Sequence, residues 1–134
     1  MSQENIEVVR GWFARLSAGD PAADLCDSGV TIRNWAESPV PGPYHGHDGL
    51  RQWWRDVHDP DMGLEMEFFA LEEVLEIDEE RVVTIQRATG RGRASGVAVD
   101  QRWGSIISVR NRKISSAHGF PSREQALKAA GLSE

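Results

Sequence analysis

Two side chains, Glu37 and His118, have the type and position needed to transfer protons. Glu37 follows Trp35 at the end of a predicted strand, and a partly dry pocket beside an indole disfavours a charged carboxylate. Such a carboxylate can remove a proton next to a carbonyl group. His118 lies in the last predicted strand, where it could be a second acid or base or a polar anchor in the pocket floor. The structural alternatives are a solvent-exposed Glu37 and a core histidine bonded to a backbone carbonyl.

Aromatic side chains predict an apolar ligand cavity beside these candidates. We expect Trp35, Trp54 and Trp103 to line the cavity and Tyr44 to lie near its mouth, where the Tyr44 hydroxyl could assist Glu37. Indole rings supply large apolar surfaces of the kind that wall small-molecule sites. Packing in the core is the alternative role for each of these rings.

A group of charged residues is predicted to lie on the other face of the sheet. Asp100 and Arg102 alternate with Trp103 along one strand, so they face away from the apolar side. Arg87 on the neighbouring strand could bind Asp100 through two guanidinium nitrogens. We therefore expect these residues on the outer face or at a dimer surface, and catalysis by Asp100 would need a bulge that reverses the register.

The other histidines and the cysteine are weaker candidates, for metal ligands and for a nucleophile. His45 and His47, with His58 one helix away, have the alternate spacing that ligands in an extended segment would share. Their segment enters a predicted helix instead, so we expect no metal and no cofactor. Cys26 has no basic neighbour to activate it and is predicted to be a small buried hydrophobic residue.

Helical patterns dominate the first half of the chain. Apolar residues recur at intervals of three and four over residues 3–18, which predicts an amphipathic helix. Asp20 and Pro21 resemble an N-cap and a first-turn proline, which predicts a short second helix ending at Gly29. The later elements of this half are a strand over 30–35, a proline-rich loop over 38–46 and a third helix ending near His58.

The second half of the chain is predicted to form an antiparallel sheet. Apolar and polar residues alternate with period two, and turn residues separate four segments, at about 64–77, 80–91, 95–109 and 113–120. Ser122 begins a capping box, which predicts a short closing helix. Helices followed by a meander sheet define an α+β fold, expected as a single domain over residues 1–134.

The composition restricts the partners and the compartment. The chain has 134 residues, a net charge of −6 and one cysteine. An acidic chain without a basic half disfavours nucleic acid and anionic membranes as partners. A single cysteine excludes an internal disulfide, and the polar residues after Met1 lack an export signal, so we expect a cytoplasmic protein. No apolar run approaches the ~20 residues that cross a bilayer.

Four segments resemble the SnoaL-like branch of the nuclear transport factor two-like superfamily. They are Ser2-Gln-Glu-Asn-Ile-Glu-Val-Val-Arg10, Tyr44-His-Gly-His-Asp-Gly-Leu-Arg51, Ser95-Gly-Val-Ala-Val-Asp100 and Glu124-Gln-Ala-Leu-Lys-Ala-Ala-Gly-Leu132. The resemblance extends over nearly the whole chain and implies a cone-shaped α+β barrel. In that fold, three N-terminal helices pack on a strongly curved, mostly antiparallel sheet before a short C-terminal helix. The resemblance also implies a mostly apolar pocket and a homodimer packed through the sheet.

The resemblance further implies roles for two positions. Glu37 lies nine residues before Gly46, the spacing of the general-base aspartate in the ketosteroid isomerases of this superfamily. Ser105 stands where those enzymes have an oxyanion-stabilising aspartate, and a serine is not a strong neutral acid. The superfamily also contains polyketide cyclases, epoxide hydrolases, dehydratases and binding modules, so the fold alone does not select an activity.

Two functional hypotheses stay open at this stage. The first is a cofactor-free isomerase, cyclase, lyase or hydrolase acting on a small hydrophobic carbonyl compound, with Glu37 as base and His118 or Tyr44 assisting. The second is a non-catalytic dimeric module that holds an apolar metabolite, with Trp35, Tyr44, Trp54, Trp103 and Ser105 as the predicted ligand contacts.

Overall fold

The fold consists of helices packed on one mixed sheet. The computed structural model describes residues 3–59, 61, 64–93 and 95–132. The elements, in chain order, are α1 (Gln3–Ser17), a single 3-10 turn (Ala23–Leu25), β1 (Cys26–Arg33), β2 (Tyr44–His45), α2 (Gly46–Val57), β3 (Leu64–Glu76), β4 (Arg81–Gly92), β5 (Ala98–Arg110), β6 (Lys113–Phe120) and α3 (Arg123–Ala129). The predicted α+β class is confirmed. No helix in the described part of the chain combines the length and apolarity needed to cross a bilayer.

The predicted first helix is α1, and its apolar stripe is buried. Val9, Trp12, Phe13 and Leu16 lie on the buried side, at the spacing of three and four that the sequence shows. Glu4 in the first turn and Arg15 in the last turn match the helix dipole.

The predicted second helix is reduced to one 3-10 turn, and β1 begins earlier than expected. Ala22 adopts a left-handed conformation with φ of 55°, and its backbone N–H donates to Asp20 Oδ1 at 2.8 Å. The chain therefore turns once and enters the sheet at Cys26 instead of residue 30. Pairing of β1 with β6 replaces the helical hydrogen bonds that the prediction assumed.

The six strands form one open sheet in the order β2-β1-β6-β5-β4-β3. Strands β3 to β6 form the predicted antiparallel meander. β1 lies parallel to β6, while β2 is an antiparallel edge strand on β1. The sheet is therefore mixed, and its two edges are β2 and β3.

The two faces of the sheet pack against different helices. The inner face packs against α1 and α2, and its buried residues include Val30, Ile32, Val82, Ile107 and Ile114. The outer face is covered at one end by α3, through Val83, Ile85, Ala126 and Leu127. The predicted cap of α3 is present, because Ser122 Oγ accepts a hydrogen bond from the Gln125 N–H at 3.2 Å.

A bulge in β6 changes which residues face inward. Ser108 pairs with Ser116 while Val109 pairs with Ile114, so Ser115 is the extra residue. Ile114 and Ala117 consequently lie in the inner cluster, whereas Phe120 packs in the outer one. His118, expected in the pocket floor, follows Ala117 and is therefore turned to the outer side by the bulge, so that expectation is wrong.

Candidate functional site

A cavity of about 340 Å³ lies between the inner face of the sheet, the helices α1 and α2, and the loop that follows β1. This volume lies in the range of roughly 300–1,000 Å³ that is typical of small-molecule sites. Its wall is mainly apolar and aromatic, and it includes Phe13, Leu16, Ile32, Val40, Val57, Phe69 and Ile107.

All five tryptophans of the chain, Trp12, Trp35, Trp53, Trp54 and Trp103, line this one cavity. They come from α1, α2, β5 and the loop after β1, so the fold gathers rings that are far apart in sequence.

A row of aromatic rings joins α1 to the sheet along one side of the cavity. Phe13 stacks on Phe69 with a centroid distance of 5.9 Å, and Phe69 contacts Trp103 at 5.8 Å. Such pairs stabilise a fixed arrangement beyond the burial of their area. That side of the cavity is therefore preformed.

Three of the indole N–H groups are bonded to groups of the protein. Trp12 Nε1 donates to the Pro21 carbonyl at 2.9 Å, and Trp54 Nε1 donates to the Gly19 carbonyl at 3.3 Å. Trp103 Nε1 lies 3.0 Å from the side-chain amide of Gln86. These three rings therefore present apolar surface to the cavity.

One buried polar group interrupts the apolar wall on the sheet side. Gln86 of β4 and Ser105 of β5 are 2% and 6% exposed, and both line the cavity. The Gln86 amide lies 2.6 Å from Ser105 Oγ and also contacts Thr84 and the Trp103 indole. A satisfied polar cluster in a dry wall can orient a ligand by hydrogen bonding.

His58 is an exposed residue of the cavity wall, and we call its end of the cavity the mouth. It lies just after α2, with its ring edge-on to Trp54 at a centroid distance of 4.4 Å. His58 Nδ1 lies 2.8 Å from the Trp54 carbonyl oxygen, which can only accept, so Nδ1 carries the hydrogen. Nε2 of the neutral ring is then a proton acceptor.

Four of the five residues predicted as ligand contacts, Trp35, Trp54, Trp103 and Ser105, line the cavity, whereas the fifth, Tyr44, does not. Their role in binding stays a prediction. Trp35 comes from the loop after β1 and Trp54 from α2, whereas Trp103 and Ser105 are alternate residues of β5.

Glu37 is placed outside the cavity. It is exposed, and its neighbours Ser38 and Val40 face inward and line the cavity instead. The loop is held in this path because Ser38 Oγ accepts from the Val40 N–H at 3.1 Å and Asn34 Nδ2 donates to the Val40 carbonyl at 3.0 Å. The carboxylate predicted as a base thus points to solvent.

His118 also faces away from the cavity. It follows Ala117 in β6, beyond the bulge, and its ring contacts Phe120 on the outer side at a centroid distance of 4.4 Å. Burial of the imidazole, and to a lesser extent the charge of Arg33, lowers the pKa of His118. The structure therefore does not bring Glu37 and His118 together at the cavity.

Tyr44 joins β2 to α2 and is not part of the cavity wall. Its hydroxyl donates to Asp56 Oδ2 at 2.8 Å, and Gln52 donates to the other carboxylate oxygen at 2.7 Å. Burial and this hydrogen bond raise the pKa of Tyr44 to about 12. These contacts give the residue a structural role at the start of α2.

The charged residues of β4 and β5 occupy the outer face, as predicted. Arg87 binds Asp100 through Nε and Nη2, at 2.8 and 2.7 Å, and Arg102 Nε lies 2.6 Å from Glu72 Oε1. The hydrogen bond from Arg87 lowers the pKa of Asp100. These ion pairs lie on the side of the sheet opposite Trp103.

The remaining chemistry candidates have structural partners. His47 Nε2 lies 2.9 Å from the Cys26 carbonyl, and His45 Nδ1 lies 3.3 Å from Thr31 Oγ1. Within the described residues, no group of three or more His, Cys, Asp or Glu side chains is placed to hold a metal ion. Cys26 is buried, and burial raises its thiol pKa to about 12.

Gln86 and His58 are the site residues that sequence reasoning missed as ligand contacts. Gln86 carries no clear signal, because β4 is buried on both faces from Val82 to Gln86 and its sequence does not separate inward from outward positions. His58 has no signal either, because its position depends on where α2 ends against Trp54.

Residues 9–117 match the sequence profile of the SnoaL-like domain, and the chain belongs to this family. The resemblance stated from the sequence is thereby confirmed. A comparison with curated proteins gives no match.

Solved structures share the fold over most of the chain. An NTF2-like protein from Burkholderia xenovorans has a TM-score of 0.74 and 24% identity and covers 97% of each chain. TerC, co-crystallised with polyporic acid, has a TM-score of 0.75 and 16% identity over 96% of this chain and 99% of its own. A protein with a ketosteroid isomerase-like fold from Catenulispora acidiphila, in complex with trimethylamine, has a TM-score of 0.68 and 15% identity over 94% of this chain and 93% of its own. Identities this low establish the fold alone.

Proposed function

We propose that the protein binds a small, flat and mostly apolar molecule in the tryptophan-lined cavity. The observation that carries this proposal is the convergence of all five tryptophans on one cavity of about 340 Å³. Rings gathered only for core packing would fill the space between them, whereas here they surround it. Burial of a ring-shaped ligand against them would remove apolar surface from water on both partners.

The shape and chemistry of the wall favour a ring system over a small cation. TerC, one of the proteins that share the fold, was crystallised with polyporic acid, and another with trimethylamine. A methylammonium group is bound best by rings that close around it within about 6 Å of each centroid. This cavity is much larger than such a cage. The carboxylate of Glu67 on its wall is engaged by Arg91 at 3.3 Å.

Tryptophan fluorescence tests the proposal directly, because every tryptophan borders the cavity. Titration with 2-naphthol should give saturable changes in fluorescence and raise the melting temperature, while tetramethylammonium should give neither. Ala117→Leu, which places a larger side chain on the cavity wall, should weaken naphthol binding several-fold. Ala129→Leu on the exposed side of α3 is the matched control and should bind like the wild type. Equal binding to both variants would contradict the proposed location.

Acid–base catalysis on a carbonyl compound is the second candidate function, and His58 is the observation that favours it. The Nε2 lone pair of His58 has no hydrogen-bond partner among the described residues, and the bond to the Trp54 carbonyl fixes the ring at the mouth. A base there could remove a proton from a ligand whose carbonyl end lies at the mouth. Glu37 and His118 support this function less, since neither lines the cavity.

Hydrogen exchange at carbon separates catalysis from binding. With 2-tetralone in heavy water, a catalytic His58 predicts that the protein accelerates loss of the proton signals next to the carbonyl in NMR spectra. His58→Gln should abolish the acceleration, whereas His45→Gln, a histidine of β2 that bonds Thr31, should retain it. Exchange at the buffer rate with wild-type protein would leave ligand binding as the function.

We also propose a homodimer that packs through the outer face of the sheet. Helix α3 covers only one end of that face, around Val83 and Ile85, and among the described residues Glu72, Asp100 and Arg102 of the same face are exposed. Light scattering at micromolar concentration should give twice the chain mass. A mass of 14.9 kDa would reject the dimer.

A further inference from the structure

In the polar cluster of the sheet wall, the bonding partners determine which group donates and which accepts each hydrogen bond. Thr84 and Ser105 are directly paired across β4 and β5, and so are Gln86 and Trp103. The four side chains therefore form a compact square on the inner face. Gln86 lies within hydrogen-bond distance of each of the other three.

The partners assign the orientation of the Gln86 amide. An indole N–H can only donate, so the atom 3.0 Å from Trp103 Nε1 must be the amide oxygen. The amide nitrogen then donates to Thr84 Oγ1 at 2.9 Å and to the Thr84 carbonyl at 3.2 Å. The opposite orientation would set donor against donor at Trp103 and acceptor against acceptor at the Thr84 carbonyl.

This assignment determines the role of the Ser105 hydroxyl. With the Gln86 oxygen 2.6 Å away, Ser105 donates its only hydrogen to that oxygen. The Gln86 amide is then saturated, with two donors on its oxygen and two acceptors for its nitrogen. Ser105 Oγ keeps only lone pairs, and Ser105 lines the cavity.

We infer that Ser105 is a hydrogen-bond acceptor that selects ligands with a hydroxyl or N–H donor at their buried end. This inference rests on the proposed binding of a flat apolar molecule in the cavity. A phenol, an alcohol or an indole-like ring meets the requirement. A ligand that buries a carbonyl, an ether or an enolate oxygen at the same place would set its own lone pairs against those of Ser105 Oγ, and no hydrogen bond would form.

The polarity is opposite to that of an oxyanion-stabilising group. The aspartic acid expected at this place in ketosteroid isomerases donates a hydrogen bond to the developing negative charge. Ser105 cannot do so while its hydroxyl donates its hydrogen to the Gln86 oxygen. A carbonyl ligand would therefore bind with its oxygen toward the mouth. Ser105 would contact the buried end of the ligand.

A matched pair of ligands tests the inference. 2-Naphthol and 2-methoxynaphthalene carry oxygen at the same ring position, but only naphthol donates. Calorimetry should show that Ser105→Ala lowers the preference for naphthol by roughly three- to tenfold, the equivalent of one buried hydrogen bond. The affinity for methoxynaphthalene should stay close to that of the wild type.

Replacement of Gln86 provides the sharper variant, because it should reverse the preference. Gln86→Leu frees the Ser105 hydrogen, so the hydroxyl can donate to the methoxy oxygen, and the ratio of affinities should shift about tenfold toward methoxynaphthalene. Gln125→Leu makes the same change at an exposed position of α3 and should leave the ratio as it is. Circular dichroism checks that each variant is folded, and Ser105→Ala decides the matter if Gln86→Leu does not fold.

The outcomes separate this inference from the proposed function. If neither naphthalene binds the wild type, the proposed function fails and the inference falls with it. If both bind but neither Ser105→Ala nor Gln86→Leu changes their ratio, binding stands and the inference is overturned. A wild-type ratio that Gln86→Leu moves toward naphthol would also overturn it, because the hydroxyl would then have been donating into the cavity from the start.

Discussion

Strands β4 and β5 carry different polar side chains on their two faces, neutral and buried on the inner face and charged on the outer face. On the inner face, Gln86 and Ser105 are buried and neutral, and they bond to each other. On the outer face, Arg87 and Asp100 are charged, 34% and 52% exposed, and paired by two hydrogen bonds. Strand alternation alone separates them.

This difference between the two faces indicates which of them can determine ligand specificity. A buried neutral cluster loses much free energy when one partner is removed, because the others stay dry and unbonded. An exposed ion pair loses little, because water replaces either partner. The inner face is therefore the part of the sheet on which ligand selection can depend, and the outer face should tolerate change.

Truncation of a cavity tryptophan should give the largest loss of stability. Trp12 is 2% exposed, contacts Phe13 and Trp53, and donates to the Pro21 carbonyl. Trp12→Ala should lower the free energy of unfolding by about 3–5 kcal/mol, measured by urea denaturation. Phe68→Ala, at an aromatic residue that is 50% exposed, should change it far less. If both variants lose the same free energy of unfolding, Trp12 on the inner face is packed no better than the half-exposed Phe68.

A smaller loss is expected where α3 packs on the outer face. A Cβ on Gly104 would lie 2.5 Å from Ala126 Cβ and 3.2 Å from Ile85 Cδ1. Gly104→Ala should therefore destabilise the fold by about 1–3 kcal/mol through overpacking, as judged by urea denaturation. Adding Ala126→Gly removes the nearest atom and should restore part of the loss. Failure of this double variant to recover stability would show that the clash with Ile85 or the backbone dominates.

A gain in stability is expected in the turn between β5 and β6, which belongs to neither face. Asn111 and Arg112 both have positive φ, of 53° and 61°, a conformation that suits glycine in two-residue hairpins. Arg112→Gly should raise the free energy of unfolding by up to about 1 kcal/mol and leave ligand binding unchanged. Glu4→Gln controls for the exposed ion pair between Glu4 and Arg112 at 3.0 Å. A loss of stability in Arg112→Gly that Glu4→Gln reproduces would assign the effect to the ion pair.

The fold was predictable because most elements carry a local signal. The apolar spacing of α1, the alternation of β3 to β5 and the Ser122 cap each act within a few neighbouring residues. The bulge at Ser115 is different. The bulge depends on how β6 pairs with β1 and β5 together, and no residue type in β6 predicts it.

The candidate site was predictable at the residues that alternate regularly along β5, whereas the directions of Glu37 in its loop and of His118 beyond the bulge of β6 were predicted wrongly. Trp103 and Ser105 face the cavity because they alternate with Arg102 along β5. Glu37 faces solvent because hydrogen bonds between Asn34, Ser38 and Val40 set the path of its loop. Such contacts arise only once the sheet and helices are assembled, so spacing from Gly46 could not supply the direction of the carboxylate.

The smallest effect is expected on the outer face, where Arg87→Gln removes the pair with Asp100. The hydrogen bond from Arg87 lowers the pKa of Asp100, so the pair favours the folded state above the ordinary aspartate pKa of about 3.9. As the pH falls through the lowered pKa, Asp100 takes up a proton and this contribution is lost. Near neutral pH the variant should thus be only slightly less stable than the wild type, by less than Gly104→Ala.

The pH dependence identifies the pair as the source of that small difference. The stabilities of Arg87→Gln and wild type, from urea denaturation, should converge once the pH is well below the lowered pKa, since Asp100 is then protonated in both. Arg10→Gln, an exposed arginine of α1 with no ion-pair partner among the described residues, should show no such convergence. If Arg87→Gln instead costs as much as Gly104→Ala at neutral pH, water does not replace the guanidinium. The Arg87–Asp100 pair would then lie inside the proposed dimer contact, whereas a small cost places the pair outside that contact.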